Sequence, residues 1–201
     1  MKVGLFFGSF NPVHVGHLII AESALNETDL DRVWFVVSPH NPLKNKANLI
    51  NEHDRLQMVE IALGNNDKIQ ASNFEFSLPK PSYTIDTLRK LKELHPGYTF
   101  SLIMGEDNLD HLHKWKEYEE ILHHYPIWVY PRTGSDGSGF DRYPQVRKFS
   151  FPYLDISATR VRELLAERKS VRYIVTEKVY DYILKFGIVF LIRCIKAVFE
   201  D

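Results

Sequence analysis

The sequence predicts an α/β fold, a parallel sheet covered by helices on both faces. Three observations predict it. Short, continuously apolar runs alternate along the chain with longer segments whose apolar residues recur at helical spacing. The first apolar run ends at Gly8 and leads through a short polar turn into a helix, the strand–turn–helix unit from which such sheets are built. A chain of 201 residues with 44% hydrophobic content can also bury one full core.

In chain order, Lys2 to Phe7 reads as the first strand and His14 to Asn26 as the first helix. Arg32 to Val37 is the next strand, and a polar loop with Pro39 and Pro42 leads to a helix over Glu52 to Leu63. Ile69 to Phe76 offers short strand material. Thr84 to Leu94 reads as a helix ended before His95-Pro96-Gly97, and Tyr98 to Met104 as a buried strand. Trp115 to His123 is expected to be helical and Ile127 to Tyr130 to be a strand. The Gly/Ser/Asp-rich stretch between Pro131 and Pro144 reads as a flexible loop, not a domain linker. Phe149 and Phe151 flank the last short strand, and helices over Ala158 to Glu167 and Thr176 to Phe186 close the fold.

One domain is expected over residues 1–187, followed by a C-terminal tail, 188–201, read as helical. The tail is apolar but carries Arg193 and Lys196, too short and too charged to span a bilayer. It suits an extra packed helix or a contact between copies in a homo-oligomer. The net charge of -1, from 25 basic and 26 acidic side chains, gives no bulk field for a nucleic-acid backbone or an anionic membrane. Any anionic ligand must therefore be held by local clustering. The single cysteine, Cys194, excludes an intramolecular disulfide and any zinc site built on several thiolates. With an N-terminal apolar run too short for a signal peptide, this predicts a cytoplasmic protein.

Four segments could carry chemistry. The first turn reads Gly8-Ser9-Phe10-Asn11-Pro12-Val13-His14-Val15-Gly16-His17. Glycine lets backbone N–H groups approach a polyphosphate, and the start of the following helix favours negative charge. His14 and His17, three apart, share one face at that end, where imidazolium would oppose the helix dipole unless an anion compensates. H-x-x-H lacks the spacing of a zinc pair and has no third ligand nearby, so no metal site is expected here.

The second segment, Asp155-Ile156-Ser157-Ala158-Thr159-Arg160-Val161-Arg162, offers Ser157 as N-cap and places two arginines where a bound triphosphate would offset the dipole. In the third, the strand ending at Met104 runs into Gly105-Glu106-Asp107. This puts the Asp107 carboxylate at the carboxyl edge of the sheet, suited to ribose hydroxyls. The fourth, Ser82-Tyr83-Thr84-Ile85-Asp86-Thr87-Leu88, opens a helix whose free amides suit a carboxylate.

These segments together resemble the HIGH-motif nucleotidyltransferase superfamily, and within it the nicotinate mononucleotide adenylyltransferases, over roughly residues 2–187. The resemblance implies a Rossmann-like sheet. His14-Val15-Gly16-His17 matches the T/H-x-G-H signature, which implies ATP contacts from Gly8, Ser9, Phe10, His14, Gly16 and His17. Ile156, Ser157, Thr159 and Arg162 match the I-S-S-T-x-x-R motif on the phosphates and ribose, with Ala158 in place of the second serine. Gly105 and Asp107 match the G-x-D element of the ATP site.

The resemblance also implies a mononucleotide site. Ser82, Tyr83 and Thr84 match S-Y-T-x-x-T-L, whose amides hold the substrate carboxylate. Trp115 matches the tryptophan stacked on the pyridine ring, with Lys116 where the family often has tyrosine. Asn11, Lys44 of P-x-x-K, Arg55 and Arg132 complete the implied set. The expected reaction is transfer of the adenylyl group of ATP to nicotinate mononucleotide, with His14, His17, Lys44 and Arg162 neutralising charge and Mg2+ carried on ATP. Phosphopantetheine adenylyltransferase, a cytidylyltransferase and a non-catalytic nucleotide sensor remain open at this level.

Overall fold

A computed structural model of the protein describes residues 1–39, 49–132, 139–152 and 154–188. The elements in order are β1 (Lys2–Gly8), α1 (Val15–Glu27), β2 (Arg32–Val37), α2 (Glu52–Leu63), β3 (Ile69–Ser72), α3 (Thr84–Leu94) and β4 (Thr99–Gly105), followed by α4 (Glu106–Asp110), α5 (Tyr118–His124), β5 (Ile127–Tyr130), β6 (Val146–Lys148), α6 (Ala158–Ala166) and α7 (Glu177–Lys185). The six strands form one sheet in the order β3-β2-β1-β4-β5-β6, and every pairing is parallel.

Period-2 alternation within the strands sorts their side chains into two cores. Phe6 of β1, Phe35 of β2, Ile103 of β4 and Trp128 of β5 face one side, where Ala21 of α1, Met58 of α2, Val161 of α6 and Val179 of α7 meet them. Leu5, Val36, Leu102 and Val129 face the other, against Leu88 of α3 and Ile121 of α5. Being buried on both faces, the strands read as continuous apolar runs. Gly4 keeps β1 close to its neighbours, since a Cβ there would lie 2.7 Å from both Ile103 and Leu30.

Three boundaries differ from the sequence reading. The strand expected over 69–76 stops at Ser72, because Phe74–Ser77 turns into a 3₁₀ helix. The helix expected from Trp115 begins at Tyr118, behind Glu117 in a left-handed conformation (φ 51°), which leaves Trp115 in extended backbone. The last strand is Val146–Lys148 and lies wholly before Phe149. Positions 133–138 of the Gly/Ser/Asp-rich loop and 189–201 of the expected tail lie outside the described residues. No helix among the described residues is long and apolar enough to cross a membrane.

The order 3-2-1-4-5-6 has a consequence for binding. Chain connections leave β1 and β4 in opposite directions, opening a crevice beyond their carboxyl ends. The turns after β1, β2, β4 and β5 all reach that edge.

Candidate active site

A cleft of about 740 Å³ opens at this carboxyl edge. Its floor is aromatic. Phe6 meets the rings of Phe10, Phe35 and Tyr130 at centroid distances of 5.6, 5.3 and 6.2 Å. Gly8 admits this packing, since a Cβ there would lie 2.8 Å from the Phe10 ring. Phe10 itself adopts φ 45°, a conformation that places it against the strand end it has just left.

Above this floor, His14 is the N-cap of α1 and His17 its third residue. The two rings stack at 3.7 Å, and Phe10 meets His17 edge-on at 5.1 Å. The His14 backbone N–H donates to His17 Nδ1 at 3.2 Å, so in the neutral ring the His17 proton sits on Nε2. Gly16 makes room for the pair. A Cβ there would lie 3.0 Å from His14 Nδ1, and it would also approach Ile156 at 3.7 Å.

Burial, with a smaller contribution from Arg132, lowers the His14 pKa to about 4. The dipole conflict expected from sequence is thereby relieved at His14, which is neutral at pH 7. His14 Nδ1 and Ser9 Oγ are buried without a hydrogen-bond partner among the described residues, and both residues line the cleft. Buried polar atoms of this kind call for a partner.

The start of α6 faces the same space. Ser157 caps it, accepting from the Arg160 N–H at 3.1 Å. The Arg162 guanidinium donates to the Asn11 carbonyl at 2.8 Å and to Thr159 Oγ1 at 3.2 Å, tying this helix to the turn after β1. Burial lowers the Arg162 pKa from a very high starting value, so the cation persists. Asn11 Oδ1 in turn accepts from the Ile50 N–H at 3.1 Å. Ile156 stands behind the lining, and Arg160 turns outward to Glu163 at 3.2 Å.

At the end of β4, Asp107 lines the cleft with its carboxylate 3.6 Å from Arg132 Nε. Gly105 leaves room for this, because a Cβ there would run into Asp107 Oδ1. Arg132 lies over the Tyr130 ring at 5.7 Å, and its backbone N–H donates to Glu106 at 2.9 Å.

The far wall is made by Ser82, Tyr83 and Thr84 at the start of α3 and by Trp115. Lys116 bridges these pieces. Its ammonium lies over the Tyr83 ring at 5.1 Å and pairs with Asp86 at 2.9 Å.

Of the predicted site residues, Gly16, Arg55, Gly105 and Ile156 do not themselves line the cleft. Arg55 is 1% exposed and does not line the cleft. Its guanidinium donates to the backbone carbonyls of Ser9, Ser38, Pro39 and Ile50, which leaves it a scaffold beneath the site and not a ligand contact. Lys44 lies outside the described residues. Sequence reasoning missed Glu75, a carboxylate on the cleft wall, whose only signal was a charge set between Phe74 and Phe76.

The cytidylyltransferase-like family model matches residues 5–164. A relative from Cytophaga hutchinsonii is 53% identical over 184 residues, covering 92% of this chain and 96% of the relative. One from Flavobacterium johnsoniae is 48% identical, covering 91% and 96%. Both carry the name "Probable nicotinate-nucleotide adenylyltransferase". The Plasmodium falciparum nicotinic acid mononucleotide adenylyltransferase complexed with NaAD superposes with a TM-score of 0.79 at 24% identity. That superposition covers 94% of this chain and 98% of the other, a likeness of fold.

Proposed function

The chain belongs to the cytidylyltransferase-like family and, within it, to the nicotinate-nucleotide adenylyltransferases, and from that premise we propose how its cleft performs the transfer. The protein moves the adenylyl group of ATP to nicotinate mononucleotide, giving nicotinate adenine dinucleotide and pyrophosphate. The 5′-phosphate of the mononucleotide attacks the α-phosphorus in line, and the pyrophosphate oxygen leaves opposite. Such a displacement needs alignment and charge stabilisation more than a protein nucleophile.

One observation carries the assignment of roles. The starts of α1 and α6 converge on one rim of the cleft, while the start of α3 and Trp115 form its other wall. The triphosphate lies at the shared rim. Gly8, Ser9, Phe10 and Gly16 shape the approach, and Ser157 and Thr159 supply hydroxyls. His14 and His17 act as neutral or transiently protonated donors, and Arg162 supplies fixed positive charge as negative charge grows on the bridging oxygen. Asp107 receives the ATP ribose, with Gly105 and Ile156 framing that end. Lys44 completes the phosphate contacts. The mononucleotide lies between Trp115 and the Ser82–Thr84 segment, its pyridine ring on the indole and its carboxylate on the α3 amides. Asn11 and Arg132 flank its phosphate.

Magnesium enters with ATP as part of the substrate. Phosphate oxygens and water are the ligands that ion ordinarily keeps. A cytoplasmic location suits this use of ATP.

The deciding measurement is pyrophosphate release by the purified chain with ATP and each acceptor in turn. Turnover with nicotinate mononucleotide is expected. Turnover with phosphopantetheine alone, or a strict requirement for CTP, would replace this assignment with one of the other transferases, and ATP binding without release under any acceptor would indicate a sensor.

A further inference from the structure

Glu75 sits in the 3₁₀ turn Phe74–Ser77, on the wall of the cleft and only 2% exposed. Its Oε1 accepts the Thr87 hydroxyl at 2.9 Å and its Oε2 the Ser82 hydroxyl at 3.1 Å. The Ser38 side chain is a third donor. One carboxyl thus gathers the end of β2, the segment entering α3 and the first turn of α3. Burial pushes the carboxyl pKa up, and the three hydroxyl bonds pull it back.

Ser82 and Thr87 bracket a helix start that is left open. Tyr83, the N-cap of α3, makes no side-chain capping bond. The amides of Thr84, Ile85 and Asp86 precede the first acceptor the helix itself could offer. Ser82 lies one residue before the N-cap and Thr87 is the fourth residue of α3, and Glu75 holds both hydroxyls, which fixes the segment whose first amides open toward an anionic group in the cleft.

We propose that Glu75 is a positioning residue for mononucleotide selection, anchoring Ser82 and Thr87 so that the uncapped start of α3 faces the bound ligand. This assignment rests on the mononucleotide site proposed above. Its bonds to Ser82 and Thr87 run to the segment that opens α3, across the cleft from the ATP rim, while Ser38 links it to the strand end through an N–H that donates to the Gly8 carbonyl at 2.9 Å. The effect of losing it therefore falls mainly on one substrate.

The test is steady-state pyrophosphate release by the full chain and by Glu75→Gln, with ATP and nicotinate mononucleotide varied separately. Glu75→Gln is expected to raise the KM for the mononucleotide about tenfold, while the KM for ATP and kcat stay within about twofold to threefold. Thr87→Val removes one anchored hydroxyl with little change in shape and provides the same test should Glu75→Gln fold poorly. The two substitutions are expected to be non-additive when combined, because they break one network. An unchanged mononucleotide KM in both variants, or both KM values rising in step, overturns the assignment of Glu75 alone. A wild-type chain that makes no pyrophosphate with nicotinate mononucleotide overturns the reading of function, and this assignment with it.

Discussion

At the residue scale, the histidine pair links the acid stability of the protein to its chemistry. His14 is held near a pKa of about 4, against 6.5 for an ordinary histidine, chiefly because burial disfavours its cation. A depressed pKa means that the unfolded chain binds a proton the folded chain refuses. The folded state is therefore fully supported above pH 6.5 and loses stability as pH falls toward 4, by up to about 3 kcal/mol. Glu75 works in the opposite sense, since a raised carboxyl pKa favours the folded state as pH falls. The His14 contribution is isolated by subtracting the pH–stability curve of His14→Gln, which carries no titrating ring. Denaturant unfolding between pH 7 and pH 4 should show the wild type losing more stability than the variant, and parallel curves would refute a buried, neutral His14. His17 has a separate test. His17→Ala should lower kcat about 10²-fold or more, as loss of a transition-state donor does. Near-full turnover would remove His17 from the machinery.

At the element scale, the clearest signals in the sequence were those set by local physics. Five consecutive apolar residues at Val33–Val37 announced a buried strand, and Ser157 before an apolar-periodic run announced a capped helix. The failures came where a side chain or a backbone angle overrode pattern. Phe74-Glu75-Phe76 alternates like a strand, yet it coils into a 3₁₀ turn whose carboxylate meets hydroxyls from the end of β2 and the start of α3. Trp115 was expected to open a helix; the left-handed Glu117 delays that helix to Tyr118, and no residue type there announces it. Caps are where element stability can be tested without disturbing the cleft. Thr176 caps α7, accepting from the Val179 N–H, and does not line the cleft. Thr176→Ala should cost about 1 kcal/mol of unfolding free energy with kcat unchanged. A stability equal to that of the wild type would show that packing of Val179 and Ile183 alone fixes the helix.

At the scale of the whole molecule, the carboxyl edge of the sheet is held together from beneath by a residue the sequence made look like a ligand contact. The family resemblance implied that reading, and burial of arginine is rare and cannot be seen without tertiary contacts. Arg55 reaches from α2 to the carbonyls of Ser9 after β1, Ser38 and Pro39 after β2, and Ile50 ahead of its own helix. Burial brings its pKa down to about 10, which still leaves it charged at neutral pH. The cation is thus shared among carbonyl dipoles from loops far apart in sequence, and those loops carry Ser9, Asn11 and the entry to the cleft. Replacing it with methionine keeps most of the volume but leaves these carbonyls without their donor in a buried space. The expected cost is about 3–5 kcal/mol, a large share of a typical domain's stability. Because the damage is to the frame, both substrate KM values should rise together in Arg55→Met. Chemical denaturation alongside steady-state kinetics separates the alternatives: a variant that unfolds with the wild type and raises only the mononucleotide KM would return Arg55 to the binding site and require the loops to be held by something else.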